Sequence, residues 1–461
     1  MAQHLHNLGR QSQGTVVHVP DNIELGGEVT KHTNYVVEQL VADAFDAFVD
    51  VMDISCLEDT QTSCRTRLAR VLRSDRCFCV YDTRLPHVTN QNQPETEVFK
   101  GPCHQMVATL GLYDLDMVVP GGRIEMAGVT AVSVRPTHRR RGLLRQMLSH
   151  GLQNARARGQ TMAALWATEP TIYRRFGFGS AVKVATHQIT ACLEFLGPCL
   201  GDPMIVMVDR ATFLDSARAL YDRNLDKRPG VFRRSTDWWE ARQLVASPFG
   251  SFPGACLRYA LALRGEEVVG YLLFHTNSEK QDSNDGGVLF IREIFGTDVA
   301  AELELWRFAA NHDLVSTLRA PFRPYPDPII ALARDSRMIK TTVSEGLHLR
   351  FLDVANALSA RRYAISGKID IALEGPDDVA GLYCIFVTSD GRAQCRRVAK
   401  QPIATDSSVR LHASTLAEVF FGGHRVSYLA RAGQIEGPTD VIDRMDLMFL
   451  HRNTPVSLEI F

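Results

Sequence analysis

The chain of 461 residues has no run of about 18 apolar residues, the length that a membrane-spanning helix requires. Its N-terminal segment, "MAQHLHNLGRQSQGTVVHVP", also lacks the apolar stretch of a secretory signal. Ten cysteines are present, but only Cys77 and Cys79 lie two residues apart, and the spacings match neither a zinc site nor a disulfide framework. We therefore expect a cytoplasmic protein with no metal and no membrane partner.

The chain also has little net charge. Lys and Arg number 51 against 52 Asp and Glu, which gives a formal net charge of −1. A chain with this balance has no overall field that would attract nucleic acid or an anionic membrane, so no nucleic-acid partner is expected. The apolar fraction of 45% is that of an ordinary globular protein, and the length predicts two or three domains.

Acidic residues are absent from one long stretch, residues 126–168, which contains seven arginines. Three of these arginines are consecutive, at 139–141. They lie between a predicted strand that ends before Pro136 and a predicted amphipathic helix over 143–158, with Gly142 at the helix start. Backbone NH groups and the positive end of the dipole at a helix start bind phosphate. The stretch predicts a phosphate-binding turn, with a solvated basic loop as the alternative.

The remaining patterns predict a mixed α+β order. Apolar residues recur at helical spacing over 34–50, and a second helix is predicted over 62–73. Strands are predicted at "CFCVYDT" and, after a polar loop over 84–103, at "QMVATLGLYDLDMVV" and "IEMAGVTAVSV". Residues 1–34 lack periodicity and are expected to form a flexible tail.

Three segments carry a resemblance to a known family: "VSVRPTHRRRGLLRQML", "LWATEPTIYRRFGFGSA" and the chain end "PVSLEIF". They closely resemble the enhanced intracellular survival (Eis) family of GCN5-related N-acetyltransferases (GNAT). The superfamily's pyrophosphate pattern is [QR]-x-x-G-x-[GA]. Arg139 and Gly142 match this pattern, whereas Leu144 departs from it because a small residue is usual there. The resemblance spans about residues 36–461 and implies acetyl-CoA-dependent acetylation of aminoglycoside amines, at several positions, by a homohexamer.

The fold class that the resemblance implies is α+β. It consists of an N-terminal acetyltransferase domain over 35–190, a degenerate acetyltransferase-like domain over 191–345, and a sterol-carrier-like domain over 346–461. The central domain repeats the strand, loop and helix order in "GGVLFIREIFGTDVAAELELWRFAANH", but this segment offers no basic cradle for phosphate. A lipid pocket in the last domain is suggested by fold analogy alone.

Acetyl-CoA is expected to contact two groups of residues. Backbone NH groups of a splayed strand would polarise the thioester carbonyl, and the basic turn would hold the pyrophosphate through charge-assisted hydrogen bonds. Thr168 and Glu169 match two further cofactor contacts of the family, although Glu169 could equally be an ordinary surface residue. The expected cofactor residues are Val132, Ser133, Val134, Arg140, Arg141, Gly142, Leu143, Leu144, Arg145, Thr168 and Glu169.

Tyr173, in "EPTIYRRFGF", matches the family's general acid. A phenol with an ordinary pKa near ~10 is protonated at neutral pH and can donate a proton to the leaving thiolate. The alternative is a tyrosine that packs beside Phe176 and Phe178 in a partly buried turn.

The family's general base is the C-terminal carboxylate, here that of Phe461. An α-carboxylate is ionised at neutral pH, and the alternating apolar end "PVSLEIF" predicts a docked terminus rather than a free one. Glu459 is close enough in sequence to share the role. The assignment between the two carboxylates therefore stays open.

Trp238, in "GVFRRSTDWWEARQL", matches a family position in the substrate cleft. The alternative is a helix start capped by Ser235 with tryptophans that pack inward. Protein lysine amines are a second acceptor class. A phosphate- or lipid-binding protein without catalysis is an alternative of a different kind, but nucleic-acid binding would require basic and aromatic residues over a wide face.

Overall fold

The computed structural model describes residues 34–85, 105–196, 203–245, 256–277, 286–402 and 407–461. All but the last residue of the predicted tail over 1–34, and most of the polar loop predicted over 84–103, lie outside these ranges. In the described ranges no helix is long and apolar enough to cross a membrane. Within the same ranges, no three His, Cys, Asp or Glu side chains are grouped as metal ligands would be.

Backbone contacts divide the chain into two compact units, here called the first and second unit. The first comprises the described residues of Met1–Thr60, Leu72–Leu112 and Ala131–Gly151, and the second comprises those of Gln61–Val71, Tyr113–Thr130 and Leu152–Phe461.

The helices and strands follow one another in a mixed order. The strands are β1 Tyr35–Gln39, β2 Cys77–Asp82, β3 Met106–Val119, β4 Gly122–Val134, β5 Met162–Trp166, β6 Gly179–Ser180, β7 Lys183–Thr190, β8 Met204–Val208, β9 Arg258–Arg264, β10 Glu267–Asn277, β11 Gly287–Gly296, β12 Val315–Pro324, β13 Ile339–Glu345, β14 Leu347–Phe351, β15 Gly367–Glu374, β16 Gly381–Val387, β17 Ala393–Ala399, β18 Ser408–His412 and β19 Ile435–Glu436. The helices are α1 Phe45–Cys56, α2 Thr62–Val71, α3 Leu143–Ala157, α4 Pro170–Arg174, α5 Arg210–Asn224, α6 Thr236–Trp238, α7 Val299–Ala310, α8 Pro328–Leu332, α9 Val354–Ala360, α10 Ala413–Val419, α11 Val426–Arg431 and α12 Thr439–Phe449.

In the first unit, strands are neighbours in the order β1-β2-β3-β4. β2 pairs antiparallel with both β1 and β3. The helix predicted over 34–50 is wrong at its beginning, because Tyr35–Gln39 forms β1 and α1 begins only at Phe45. Tyr35 and Val37 are buried alternately along β1, which satisfies its backbone by pairing with β2.

The second unit contains the rest of β3 and β4, with neighbours in the order β3-β4-β5-β14-β6. β4 and β5 are parallel, and helix α3 connects them along the chain. A second sheet has the order β13-β7-β12-β11-β10-β9-β8, in which β11 and β12 are parallel and are connected by α7. Both sheets therefore contain the same parallel crossover, as the repeated strand, loop and helix order predicts.

Two strands join sheets on the far side of the predicted domain borders. β7, within 35–190, pairs with β12 and β13 of the second sheet. β14, within 346–461, pairs with β5 and β6 of the sheet that contains β4. A third sheet, β17-β16-β15-β18-β19, is formed entirely from residues beyond 366. The three domain ranges themselves stay a prediction.

Candidate active site

The predicted cofactor segment lies in the first unit, where β4 leads into α3. β4 bends at Ala131, whose φ of 52° is left-handed, and Thr109 Oγ1 donates a hydrogen bond to Ala131 O at 2.9 Å. A left-handed residue within a strand interrupts the regular ladder in the manner of a bulge. The Arg135 NH then donates to Val107 O at 2.9 Å. The segment expected to polarise the thioester, Val132–Val134, lies between these two points.

The basic turn follows directly. Arg140 and Gly142 have φ values of 63° and 80°, both left-handed, and α3 begins at Leu143. A non-glycine residue in this region is uncommon, and left-handed residues in such turns direct backbone NH groups to one side, where they bind anions. Left-handed residues just before a helix are typical of anion-binding turns, and the assignment of this turn to the cofactor stays a prediction.

The side chains of this turn have different surroundings. Arg139 donates to Ser55 O at 2.9 Å, and Arg141 donates to the Tyr35 hydroxyl at 2.8 Å and to Thr137 O at 3.0 Å. These two guanidinium groups are therefore oriented by the protein. The side chains of Arg140 and Arg145 are exposed, whereas that of Leu143 is buried in the core.

A carboxylate of the first unit, Asp82, has its own cation. Arg84 donates to it at 2.9 and 2.7 Å, and the His138 ring lies 3.3 Å away. The Arg84 guanidinium holds the pKa of Asp82 far below its ordinary value. The negative charge of Asp82 is thus balanced by Arg84, and the arginines of the turn are not needed for it.

Tyr173 lies in the second unit on α4, a short helix that follows β5. Thr168 and Glu169 precede this helix and are exposed, and Pro170 is its first residue. The Tyr173 ring is half-buried and packs edge-on against Phe178, with ring centroids 5.9 Å apart. The contact with Phe178 that was considered as the alternative to catalysis is present, and it leaves part of the Tyr173 side chain accessible.

The chain end is docked, as its apolar pattern predicts. Phe461 is 6% exposed, and its ring meets Tyr113 and Phe232 edge-on, with centroids 6.2 and 6.0 Å apart. Arg242 donates to Ile460 O at 2.7 Å. Ring packing and a backbone hydrogen bond therefore fix the last two residues.

A buried charge network lies next to the chain end. Arg234 donates through Nε to Glu459 and through its two terminal nitrogens to Glu293, at 3.1 and 2.8 Å. Trp238 Nε1 donates to the second oxygen of Glu459, and the Tyr271 hydroxyl donates to Glu293. Both carboxylate oxygens of Glu459 therefore already accept a hydrogen bond.

The network combines buried groups of both charge signs. Burial alone would lower the pKa of Arg234, but the charges of Glu293 and Glu459 keep it well above its ordinary value. Burial lowers the pKa of Arg292 to about 10, which leaves this residue cationic at neutral pH. The buried guanidinium groups of Arg234, Arg292 and Arg242 thus lie around the two glutamates.

Trp238 is 6% exposed and packs edge-on against Tyr113 and Phe232, each with ring centroids 5.0 Å away. The Ser235 cap considered from the sequence is present, because Ser235 Oγ accepts the Trp238 NH at 3.0 Å. The residues that sequence reasoning missed are Arg234, Tyr271 and Glu293. The available signal was a charged residue inside an apolar strand pattern, as in "VLFIREIFG".

Models of the acetyltransferase (GNAT) domain match residues 91–181 and 230–351, and a model of the sterol carrier protein domain matches residues 354–457. An uncharacterized N-acetyltransferase of Streptomyces coelicolor is 33% identical over 342 residues, which cover 73% of this chain and 81% of that protein. N-acetyltransferase Eis of Mycobacterium tuberculosis is 30% identical over 362 residues, which cover 76% of this chain and 84% of that protein. The chain belongs to the Eis family of N-acetyltransferases.

Solved structures agree with the Eis fold. Eis1 of Mycobacterium abscessus superposes with a TM-score of 0.74 at 22% identity, over 93% of this chain and all of that one. A GCN5-related N-acetyltransferase of Anabaena variabilis superposes with a TM-score of 0.76 at 15% identity, again over 93% of this chain and all of that one. The α+β class, with two acetyltransferase-type domains followed by a sterol-carrier domain, is confirmed.

The central acetyltransferase match differs from the first at its crossover helix. α7 begins after Asp298, whose Oδ1 accepts the Ala301 NH at 2.9 Å. This carboxylate cap satisfies one of the helix-start NH groups that a phosphate would otherwise bind. The absence of a cofactor turn in the central domain stays a prediction.

Proposed function

We propose that this Eis-family enzyme transfers the acetyl group of acetyl-CoA to amines of aminoglycoside-type substrates, with the Phe461 carboxylate as proton acceptor and Tyr173 as proton donor. The chain is an N-acetyltransferase, and acetyltransferases of the GNAT type use acetyl-CoA. The docked chain end carries the proposal, because the packing of the Phe461 ring and the hydrogen bond to Ile460 O support a terminus held in one position.

The cofactor part of the proposal rests on the turn before α3. Three features of this turn suit a pyrophosphate. The backbone is left-handed at Arg140 and Gly142, a 15-residue helix begins at Leu143, and the side chains of Arg140 and Arg145 are exposed. When bound, acetyl-CoA supplies the acetyl thioester. The backbone at Val132–Val134 would donate hydrogen bonds to the carbonyl oxygen as negative charge develops there. Thr168 and Glu169 would add further cofactor contacts.

The proton-transfer part of the proposal assigns one task to the Phe461 carboxylate and one to the Tyr173 hydroxyl. The Phe461 carboxylate would accept a proton from the attacking amine, and the Tyr173 hydroxyl would donate one to the thiolate. Glu459 is the weaker candidate base, since Arg234 and Trp238 already occupy its oxygens. Trp238 would support the acceptor site through the aromatic cluster it forms with Tyr113 and Phe232.

The acceptor class is the one that the resemblance to the Eis family implies. The test is acetyl-CoA consumption with a panel of aminoglycosides, polyamines and lysine peptides. Turnover of lysine peptides alone would replace the small-molecule acceptor with protein lysine.

Replacing Arg140 and Arg141 together with Ala is expected to raise the KM for acetyl-CoA at least ~10-fold, because hydrogen bonds to charged groups typically contribute ~1.5–3 kcal/mol. The value of kcat at saturation should change little, since the pyrophosphate is bound equally in ground and transition states. Steady-state kinetics with varied acetyl-CoA measures both.

The matched control is Arg334→Ala with Arg337→Ala, which removes two exposed guanidinium groups from the central domain. Arg140→Ala alone separates loss of charge from loss of the Arg141 hydrogen bonds to Tyr35 and Thr137. An unchanged KM in the Arg140 and Arg141 double variant would contradict the cofactor assignment.

The family resemblance also supports assembly into a homohexamer. Light scattering should then give a particle of six times the 51.3 kDa chain. A monomer at micromolar concentration would contradict this part of the proposal.

A further inference from the structure

The end of the chain is held at three consecutive residues. Glu459 is bound by Arg234 and Trp238, the Ile460 carbonyl accepts from Arg242 at 2.7 Å, and the Phe461 ring is packed among aromatic side chains. Most chain ends are free to move over several ångströms. This one is fixed by contacts of three different kinds.

The contact at Glu459 is unusual because its charges are excluded from water. The side chain of Arg234 is 0% exposed, and those of Glu293 and Glu459 are 3% and 4% exposed. Burying such a group of charges is costly, and apolar side chains of similar volume would often stabilise a fold as well or better. The network is therefore poorly explained by fold stability alone, and a role in fixing one specific geometry accounts for it better.

In the contact between Arg234 and Glu459, Arg234 is the residue held by the rest of the fold. The backbone before it pairs with β3, because the Gly230 NH donates to Val118 O at 2.9 Å and the Arg233 NH donates to Asp116 O at 3.0 Å. Its guanidinium lies over the rings of Tyr221 and Trp239, at 4.2 and 4.5 Å.

Glu293 binds the guanidinium of Arg234 and is also held by the fold. It comes from the central strand β11 and is itself bound by Tyr271 of the neighbouring strand β10. Because Glu293 lies in β11 and the segment before Arg234 is hydrogen-bonded to β3, the segment that this contact restrains is the C-terminal one.

We propose that Arg234, Glu293 and Glu459 form a clamp that sets the position of the terminal carboxylate, which makes Glu459 a positioning residue for acetyl transfer. This inference rests on the proposed function, in which that carboxylate accepts the proton. The carboxylate lies two residues beyond the clamped side chain, within ~7 Å along an extended chain. Proton transfer requires an approach of ~2.6–3.2 Å between heavy atoms, so a small shift of the clamped strand is enough to slow it.

The main test is Glu459→Gln, which keeps the side-chain shape and removes the charge that Arg234 binds. We expect kcat to fall ~10- to 100-fold, since a displacement of ~1 Å can lower a rate by ~10². The KM for acetyl-CoA and the shape of the pH–rate profile should be unchanged. The control is Glu436→Gln, which neutralises a carboxylate of β19 that is 68% exposed and should retain the parent kcat.

A second variant covers the case in which Glu459→Gln fails to fold. Trp238→Phe retains an aromatic ring beside Tyr113 and Phe232 but removes the NH that donates to Glu459. It should lower kcat by a smaller factor and in the same direction, again with the KM for acetyl-CoA unchanged. Full kcat in a folded Glu459→Gln or Trp238→Phe enzyme would overturn the clamp.

The proposed base and the clamp are separated by combining Glu459→Gln with one residue added after Phe461. If both changes act on the position of one carboxylate, their effects on kcat will be non-additive, with little further loss in the combined variant. If adding a residue leaves kcat unchanged, the terminal carboxylate is not the base. The clamp then has no role in catalysis. An inactive extended chain together with full kcat in Glu459→Gln overturns the clamp alone. Loss of the acid limb of the pH–rate profile in Glu459→Gln would identify Glu459 as the base and overturn the clamp.

Discussion

Adding a single residue after Phe461 is expected to lower kcat by ~10² or more. The added residue moves the terminal carboxylate by up to ~3.5 Å, which is larger than the displacement that proton transfer tolerates. It also places an extra group at an end that is 6% exposed. Deleting Phe461 should have a comparable effect, because it shifts the carboxylate in the other direction and removes the ring that packs against Tyr113 and Phe232.

The KM for acetyl-CoA supplies the internal control for both chain-end variants. It should not change, since none of the predicted cofactor residues, at 132–145 and 168–169, lies at the chain end. A purification tag offers the simplest comparison: a C-terminal His tag should inactivate the enzyme and an N-terminal tag should not. Normal turnover by the C-terminally tagged enzyme would transfer the role of base to another group.

Tyr173→Phe is expected to lower kcat by ~10² or more without unfolding the protein. The substitution removes the hydroxyl that would protonate the thiolate, and positioned proton donors typically contribute ~10² to 10⁴ in rate. The ring remains, so the edge-on contact with Phe178 is retained. Steady-state kinetics measures the loss, and thermal unfolding checks that the melting temperature is preserved.

Tyr428→Phe is the matched control for this substitution. Tyr428 lies on α11 of the sterol-carrier domain, and its side chain is exposed, so the loss of its hydroxyl should leave kcat unchanged. Near-normal turnover in the Tyr173 variant would leave Tyr173 with a packing role only.

The basic turn could be predicted from the sequence because its determinants are local. Pro136 and Gly142 occupy the positions that end a strand and admit a left-handed backbone, and the apolar spacing of the next residues specifies α3. The predicted helix over 143–158 differs from α3 by one residue at its end. Patterns of this kind depend on neighbours within a few residues.

The elements that were not predictable depend on partners far along the chain. Tyr35 belongs to a strand only because it pairs with Asp82, and the apolar spacing around it fits a helix equally well. Arg234 and Glu459 are separated by 225 residues, so no local pattern connects them. The docked end was predictable from its alternation, whereas the clamp that holds it was not.

The exchange of β7 and β14 has a consequence for how such a protein can be divided or recombined. A cut after residue 190 would remove from the second sheet the strand that lies between β12 and β13. A cut at 345 would leave β5 and β6 without β14, the strand that connects them. Neither domain can therefore be transplanted as a contiguous cassette. A gene fusion that respects the sheets has to carry the whole segment from β1 to β14, and variation in this family is expected to accumulate by substitution within that segment rather than by shuffling of its parts.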